Sequence, residues 1–242
     1  KAMPWTLEAS FANRQHERAR NAAARLINAD TGDIALISSI SYGVATAAKL
    51  VPIPRAARVL VLENDHSSAV LEWQTRSEAQ GFTVEAVRRP GDGDWTSAVL
   101  AAIERQQAPP VALASISSVH WSDGGLLDVA KIAAALRRQG AVFLIDATHG
   151  VGVLKMDVKS LDPDFVLFPT YKWLLGPYGR AASAPRSLRL ASQPRFSMRM
   201  HPSVRFGLVL LFGAGLARAL LHRLQAAGLV NLTTMLAHAS GE

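Results

Sequence analysis

Cysteine is absent from all 242 residues of the sequence. Its absence excludes a disulfide framework, a zinc–thiolate site and an iron–sulfur cluster within these residues. It also excludes a thiol nucleophile and a persulfide carried on a cysteine of this sequence. No metal site is predicted.

Long apolar segments are also lacking. The longest strongly apolar run covers residues 208–217 and ends at Arg218, so it is much shorter than the roughly 20 residues of a membrane-spanning helix. Charged side chains interrupt residues 1–20, which leaves no apolar centre for a signal peptide. We therefore expect a cytoplasmic protein with no membrane partner.

Acidic residues are nearly missing from one part of the chain. Residues 180–242 contain eight arginines, no lysine and a single acidic residue, Glu242, whereas residues 1–179 contain 18 basic and 18 acidic residues. The change near Gly179 predicts a large domain over residues 1–179 and a divergent, basic region over residues 180–242. Such arginines indicate a solvated surface by default, so no nucleic-acid partner is expected.

What the first 179 residues do contain is an alternation of short apolar segments with segments of helical periodicity. This alternation predicts an α/β fold with a mostly parallel sheet flanked by helices on both faces. The apolar segments indicate strands that are buried on both faces. Strands are predicted at residues 34–37, 58–62, 83–87, 111–116, 142–145 and 165–168, and helices at residues 11–29, 42–50, 67–80, 96–107 and 127–139.

The residues that follow these strands are polar or aromatic, and in such sheets ligands bind beyond the carboxyl ends of the strands. Asp146 ends an apolar strand, where a carboxylate is costly to bury without a partner that keeps it charged, such as a cluster of backbone amides, a metal or a cationic ligand. Lys172 follows another strand, and a lysine among apolar groups has a lowered pKa and becomes a competent amine nucleophile. Together with His66 and a serine-rich helix start that suits an anion, these residues favour a pyridoxal phosphate site.

The residues around this acid and lysine resemble a known cofactor signature. The segments DATHG at residues 146–150, DPDF at residues 162–165 and YKWLLGPYG at residues 171–179 carry the resemblance. They look like those of the class V pyridoxal-phosphate-dependent aminotransferases, which have fold type I. That family includes cysteine desulfurases, selenocysteine lyases, kynureninases and isopenicillin N epimerases, and the resemblance covers residues 12–179.

The resemblance implies roles for four residues around the cofactor ring. Lys172 would form the Schiff base with pyridoxal phosphate, and Asp146 would pair with the pyridine nitrogen and keep it protonated. His66 matches the aromatic residue that stacks on the ring, and His149 matches the position that contacts the ring's 3-oxygen. These assignments make Lys172, Asp146 and His66 the expected catalytic residues.

The resemblance also implies contacts to the cofactor phosphate. Ile40 and Ser41 match a pair of small polar residues at a helix start, and isoleucine offers only its backbone amide there. Thr170 and Tyr171 match the groups just before the lysine. Trp121 falls where many members place an asparagine against the ring oxygen.

The resemblance implies a small amino acid as substrate and a homodimer whose sites are completed by the neighbouring subunit. Transamination, elimination, epimerisation and retro-aldol cleavage stay open as reactions, because all begin with the breaking of a bond at the substrate α-carbon. The alternative is a truncated, inactive homologue that binds pyridoxal phosphate weakly or not at all. This alternative rests on residues 180–242, which contain no recognisable arginine motif for a substrate carboxylate. Two explanations of these residues stay open: a divergent small domain, and translation in a shifted reading frame.

Overall fold

Seven short strands and the helices between them make up the part of the chain that the computed structural model describes, residues 8–185. The strands are β1 (Ala35–Ile37), β2 (Arg58–Leu62), β3 (Thr83–Val87), β4 (Val111–Ser117), β5 (Val142–Asp146), β6 (Phe165–Pro169) and β7 (Ala181–Pro185). The helices are α1 (Ala9–Ile27), α2 (Ile40–Leu50), α3 (Ser67–Gln80), α4 (Trp95–Glu104), α5 (Val129–Gln139) and α6 (Val158–Leu161), and a 3-10 turn lies at Thr31–Asp33.

The strands form one sheet in the order β1-β7-β6-β5-β4-β2-β3. Strands β2 to β6 pair in parallel, while β7 runs antiparallel to both of its neighbours, β1 and β6. Since β1 and β6 each oppose β7, they point the same way. The prediction of a mostly parallel α/β sheet is therefore confirmed, and the carboxyl ends of six strands lie along one edge.

Helices cover both faces of this sheet. The main core lies on one face, where α1, α4 and α5 pack on alternate residues of the strands such as Ile145 and Phe168. Helices α2 and α3 lie on the other face, where the buried hydroxyl of Ser115 donates to the carbonyl of Ala69 in α3. The side chains of Asp146 and Leu167 are register partners in neighbouring strands, so both point to the α2–α3 face.

The prediction that all strands are buried on both faces is wrong for the two outer strands. Strands β2 and β6 are buried along their whole length, but Thr83 and Ala86 of β3 are exposed and β1 is only half-buried. Both strands lie at the ends of the sheet. Strand β1 is as apolar as a central strand, whereas β3 carries Thr83 and Glu85 among its apolar residues.

Strand β7 is absent from the sequence-based prediction. Its residues are Ala-Ala-Ser-Ala-Pro. They include none of the β-branched or aromatic side chains that are enriched in strands. It nevertheless lies between β1 and β6 and is mostly buried. The sheet thus continues past the predicted domain limit at Gly179. The rest of the predicted basic region, with its apolar run at 208–217, lies outside the described residues.

Helix α1 confirms the predicted amphipathic helix but packs along only part of its length. Ala23, Ala24 and Ile27 are buried, whereas residues 10–19 are exposed. No helix within residues 8–185 is both long and apolar enough to cross a membrane.

Helix α2 begins at Ile40, two residues before its predicted start, because Ser39 caps it. The hydroxyl of Ser39 accepts a hydrogen bond from the backbone amide of Tyr42 at 3.1 Å. The helix approaches the sheet closely at Gly43, where an added methyl group would come within 2.8 Å of a methyl carbon of Leu167 and 2.9 Å of one of Ile37. Leu167 is fully buried, so it cannot move aside.

Gly43→Val is expected to lower the free energy of unfolding by about 1–3 kcal/mol, because overpacking forces α2 away from β6. Lys49→Val is the matched control, since it places the same side chain on an exposed position of the same helix. Urea unfolding of the two variants checks the prediction. Equal stability of both variants would contradict the close packing of α2 on the sheet.

Candidate cofactor site

The predicted site residues all lie at the edge of the sheet where the six co-directional strands end. Asp146 is the last residue of β5, and Thr170, Tyr171 and Lys172 directly follow β6, the neighbouring strand. His149 and Trp121 lie in the loops after β5 and β4, His66 precedes α3, and Ile40 and Ser41 open α2. The structure therefore brings together residues that are far apart in the sequence.

Asp146 is 3% exposed and lies on the face of the sheet that α2 and α3 cover. Its Oδ1 accepts hydrogen bonds from the backbone amide of Thr148, at 2.9 Å, and from the Thr148 hydroxyl. Burial raises the pKa of Asp146 to about 6, the hydrogen bonds from Thr148 oppose that rise, and the charge of Asp65 adds to it. The carboxylate is thus held in place by neutral donors and is not fully compensated in charge.

Asp65 and Ser117 form a polar contact beside Asp146 that the sequence did not reveal. The buried hydroxyl of Ser117 lies 2.8 Å from both carboxylate oxygens of Asp65. Ser117 is the register partner of Asp146 in the neighbouring strand. The position of Ser117 at a strand end and that of Asp65 next to His66 are visible in the sequence, but neither marks them as partners.

His66 caps α3 through its ring. Its Nδ1 accepts a hydrogen bond from the backbone amide of Ser68 at 3.3 Å and lies 3.0 Å from the Ser68 hydroxyl. The ring meets Trp121 edge to face, with centroids 5.9 Å apart. These contacts hold the imidazole at the sheet edge and leave it exposed there.

Trp121 is tied to the loop that carries His66. Its indole N–H donates to the carbonyl of Asn64 at 2.6 Å, and the side chain is 51% exposed. Because this indole donor is engaged by the main chain, the contact of Trp121 with other groups at the site is through its ring.

His120 lies under this loop. It is 1% exposed, and its ring nitrogens lie 3.0 Å from Asp123 Oδ1 and 3.0 Å from the carbonyl of Glu63. The Arg89 guanidinium, which donates to Asp123, holds the pKa of that carboxyl below its usual range. This cluster fixes the loop after β4 to the loop after β2, and so fixes Trp121 relative to His66.

His149, in the loop after β5, is half-buried. Burial lowers its pKa, and the charges of Lys172 and His66 lower it further, while Asp65 opposes them. The carbonyl of His149 accepts a hydrogen bond from the indole of Trp173 at 3.0 Å. At neutral pH the ring is therefore an uncharged imidazole close to Lys172.

Lys172 lies in a turn after β6, and its carbonyl accepts a hydrogen bond from the amide of Leu175 at 3.2 Å. The expectation that apolar groups enclose Lys172 is wrong, because its side chain is exposed. Its Nζ lies 5.9 Å from the centroid of the Tyr171 ring. A strand end supplies apolar sequence neighbours, but here the turn directs the amine outward.

The lysine loop is closed by two contacts on either side of Lys172. Tyr171 stacks on Tyr178 with ring centroids 4.3 Å apart, and burial together with the charges of Tyr178 and Asp146 raises the pKa of Tyr171. The Thr170 hydroxyl lies 3.0 Å from the carbonyl of Pro177 and donates within the loop. Thr170 therefore shapes the loop, whereas the Tyr171 hydroxyl is kept as a protonated donor.

The amino terminus of α2 supplies a site for an anion at the same edge. Ser41 is exposed, and Ile40 is buried against the sheet. The first amides of a helix have no partner within the helix, and the helix dipole adds partial positive charge there. The cap takes up the Tyr42 amide, so the amides of Ile40 and Ser41 can face a phosphate.

The residues present fit pyridoxal phosphate, the group that the resemblance implies. A buried carboxylate whose charge is not compensated suits a protonated ring nitrogen, an exposed amine suits an aldehyde, and a helix amino terminus suits a phosphate. All three lie on one edge, and the amino termini of both α2 and α3 reach it on the same face.

Asp146→Asn is expected to stabilise the protein at pH 8. The Asp146 carboxyl has a pKa of about 6 in the folded protein, compared with an ordinary value of 3.8. It therefore binds its proton more tightly in the folded protein than in the unfolded chain. Stability is therefore lost as the pH rises from about 4 to above 6, by about 3 kcal/mol at most. Urea unfolding should show a gain of about 1–3 kcal/mol for the variant at pH 8 and little difference at pH 4.

The control for this change is Glu78→Gln, which removes one charge from an exposed position near the end of α3. It should behave alike at both pH values. A variant Asp146→Asn that is less stable than the wild type at pH 8 would show that the carboxylate has a compensating partner.

Known proteins share both the sequence pattern and the fold. The family model Aminotransferase class-V matches residues 6–188. A probable cysteine desulfurase of Pyrococcus abyssi is 26% identical over 171 residues, which are 70% of this chain and 42% of that protein. An isopenicillin N epimerase of Streptomyces clavuligerus is 25% identical over 162 residues, 67% of this chain and 41% of that protein.

Among solved structures, the apo cysteine desulfurase of Thermococcus onnurineus NA1 shares the fold with a TM-score of 0.65 at 23% identity, over 74% of this chain and 44% of that one. The chain spans about two fifths of the length of the curated relatives named above. The sheet flanked by helices is that of fold type I, and pyridoxal phosphate is the cofactor of the family. By its match over residues 6–188, the chain belongs to the class V aminotransferase family.

Proposed function

We propose that this chain is part of a pyridoxal-phosphate-dependent enzyme that acts on a small amino acid, with the cofactor attached to Lys172. The observation that carries the proposal is the buried carboxylate of Asp146 at the same strand edge as an exposed lysine and a free helix amino terminus. Each feature alone has an ordinary structural explanation. Their convergence on one face of one edge is what a cofactor with a cationic ring and an anionic phosphate requires.

Bound pyridoxal phosphate would supply an electron sink for the α-carbon of the substrate. Asp146 would accept a hydrogen bond from the protonated ring nitrogen. Both hydrogen bonds described above for its carboxylate are accepted by Oδ1, which leaves Oδ2 for this cation. The cation in turn would relieve the cost of burying Asp146, so cofactor binding and ionisation of Asp146 support each other.

Three further residues would act on the ring and the substrate. The imidazole of His66, fixed by Ser68 and Trp121, would pack on the ring. The uncharged His149 would donate to or accept from the ring oxygen. The Lys172 amine would be the base that takes and returns the proton at the α-carbon of the substrate.

The phosphate would lie at the amino terminus of α2, against the amides of Ile40 and Ser41 and the Ser41 hydroxyl. Tyr171 would add its phenol as a donor, while Thr170 supports the turn that carries it. Trp121 would border the ring beside His66. These contacts are proposed from the positions of the residues at one edge.

The substrate class follows from the family and the reaction stays open. Relatives are named as cysteine desulfurases and as an isopenicillin N epimerase, so we propose an amino acid as substrate and transamination, elimination or epimerisation as the reaction. A persulfide step on a thiol of these 242 residues is excluded, because they contain no cysteine.

A cytoplasmic homodimer is the assembly that we propose. The groups that surround Lys172 are unusually apolar for a surface, with Trp173 54%, Leu175 89% and Tyr178 82% exposed. A second subunit that covers them would also complete a site that is open at Lys172.

The alternative to an active enzyme is an inactive homologue. Turnover of amino acids by the protein loaded with pyridoxal phosphate would distinguish an active enzyme from an inactive homologue.

Lys172→Ala is expected to abolish covalent attachment of pyridoxal phosphate. The protein is incubated with the cofactor, reduced with borohydride and digested, and peptide mass spectrometry locates the label. The wild type should carry it on the peptide that contains Lys172. Lys155→Ala removes another exposed lysine and should label like the wild type; equal labelling of Lys155 and Lys172 would contradict the proposal.

Ser41→Asp is expected to weaken binding of pyridoxal phosphate roughly tenfold or more, because a carboxylate at the helix start repels the phosphate. Binding of pyridoxal, which has no phosphate, should change little, and an acidic residue in the first turn does not destabilise the helix. Absorbance titrations with both compounds measure the difference.

Ala130→Asp is the control, since Ala130 is exposed at the same second position of α5, on the opposite face of the sheet. It should bind pyridoxal phosphate like the wild type. If Ser41→Asp and Ala130→Asp bind it equally well, the phosphate does not lie at α2.

A further inference from the structure

Asp65 is a charged residue at the site to which the family resemblance gives no role. Its carboxylate is half-buried and is held from two sides, by the Ser117 hydroxyl at 2.8 Å and by the backbone amide of His66 at 2.7 Å. Ser117 itself is 3% exposed. A carboxylate that is fixed on a buried hydroxyl has lost the freedom to turn toward solvent.

The place where Asp65 is fixed is next to Asp146. Ser117 and Asp146 are register partners at the ends of β4 and β5, so their side chains stand side by side on the α2–α3 face. Asp65 therefore contributes a second negative charge near the buried carboxylate. Two like charges in a half-buried site disfavour each other unless a cation lies between or beside them.

We propose that Asp65 is a positioning residue that favours the protonated ring nitrogen of the cofactor by placing its charge, through Ser117, beside Asp146. This inference rests on the proposed function. Asp65 touches neither the ring nor the reacting atoms in this scheme. Its effect is electrostatic: the repulsion between the two carboxylates is relieved when a ring cation is bound, so the ring holds its proton to a higher pH.

Other titratable groups face Asp65 and Asp146 and also influence how tightly the ring nitrogen would hold its proton. His66 from the start of α3, His149 from the loop after β5 and Lys172 from the loop after β6 all interact electrostatically with this group of carboxylates or with each other. These three are positive when protonated and oppose the ring proton. Asp146 and Asp65 are the two charges that favour it.

The test removes the charge of Asp65 and keeps its shape. Asp65→Asn still offers an oxygen to the Ser117 hydroxyl, so the loop is preserved. Pyridoxal phosphate labelled with nitrogen-15 in the ring is bound to the wild type and the variant, and the ring nitrogen shift is followed by NMR from about pH 6 to 10. The midpoint for loss of the ring proton should fall by roughly one pH unit in the variant.

Glu78→Gln is the charge-matched control, since it removes one negative charge near the far end of α3, where Glu78 is exposed. Its ring nitrogen should titrate like that of the wild type. Ser117→Ala, which leaves Asp65 charged and held only by the His66 amide, should give an intermediate midpoint. An Asp65→Asn midpoint equal to that of Glu78→Gln would overturn the inference.

A second measurement needs no cofactor. In the protein without pyridoxal phosphate, the carboxyl carbon shift of Asp146 should titrate at lower pH in Asp65→Asn than in the wild type. If the wild type takes up no cofactor on Lys172, the proposed function fails and the inference with it. If the wild type is labelled on Lys172 and neither midpoint moves in Asp65→Asn, the inference alone fails.

Discussion

The burial of one carboxylate at the end of β5 is the constraint on which the rest of the site depends. Asp146 is held by neutral donors from Thr148, and burial raises its pKa. A fold that keeps an acid in this state accepts a loss of stability that a bound cation can offset. The polar contacts around it, from Ser117 and Asp65 to His66, arrange the surroundings in which that cation would be held.

The geometry of a mostly parallel sheet explains why so many functional groups reach this carboxylate. Six strands end at one edge, and helices α2 and α3, which follow β1 and β2, begin there. Helix amino termini therefore lie beside strand carboxyl ends, and partial positive charge accumulates where polar loops converge. The close approach of α2 at Gly43 places its first amides on the face that Asp146 occupies.

Most of the strands and helices, and the main candidate site residues, could be predicted from the sequence, because local patterns along the chain indicate them. Strand β2 and helix α3 have their predicted limits, since a short apolar run and a polar periodic segment are both unambiguous. The acid, the lysine and the two histidines were identified from their places after strands and from a family signature. Strand β7 was not, because its small side chains carry no strand signal and only its two neighbours make it a strand.

The sequence by itself determined the fold class, the family and the residue types available for chemistry, because apolar periodicity and a contiguous motif are properties of neighbours along the chain. The tertiary structure decided which groups touch. The pairing of Asp65 with Ser117 joins residues 52 positions apart, and the exposure of Lys172 depends on a turn that directs its side chain outward. The charge, burial and hydrogen bonding of a site depend on contacts between residues on different strands. Local sequence patterns do not specify which residues make these contacts.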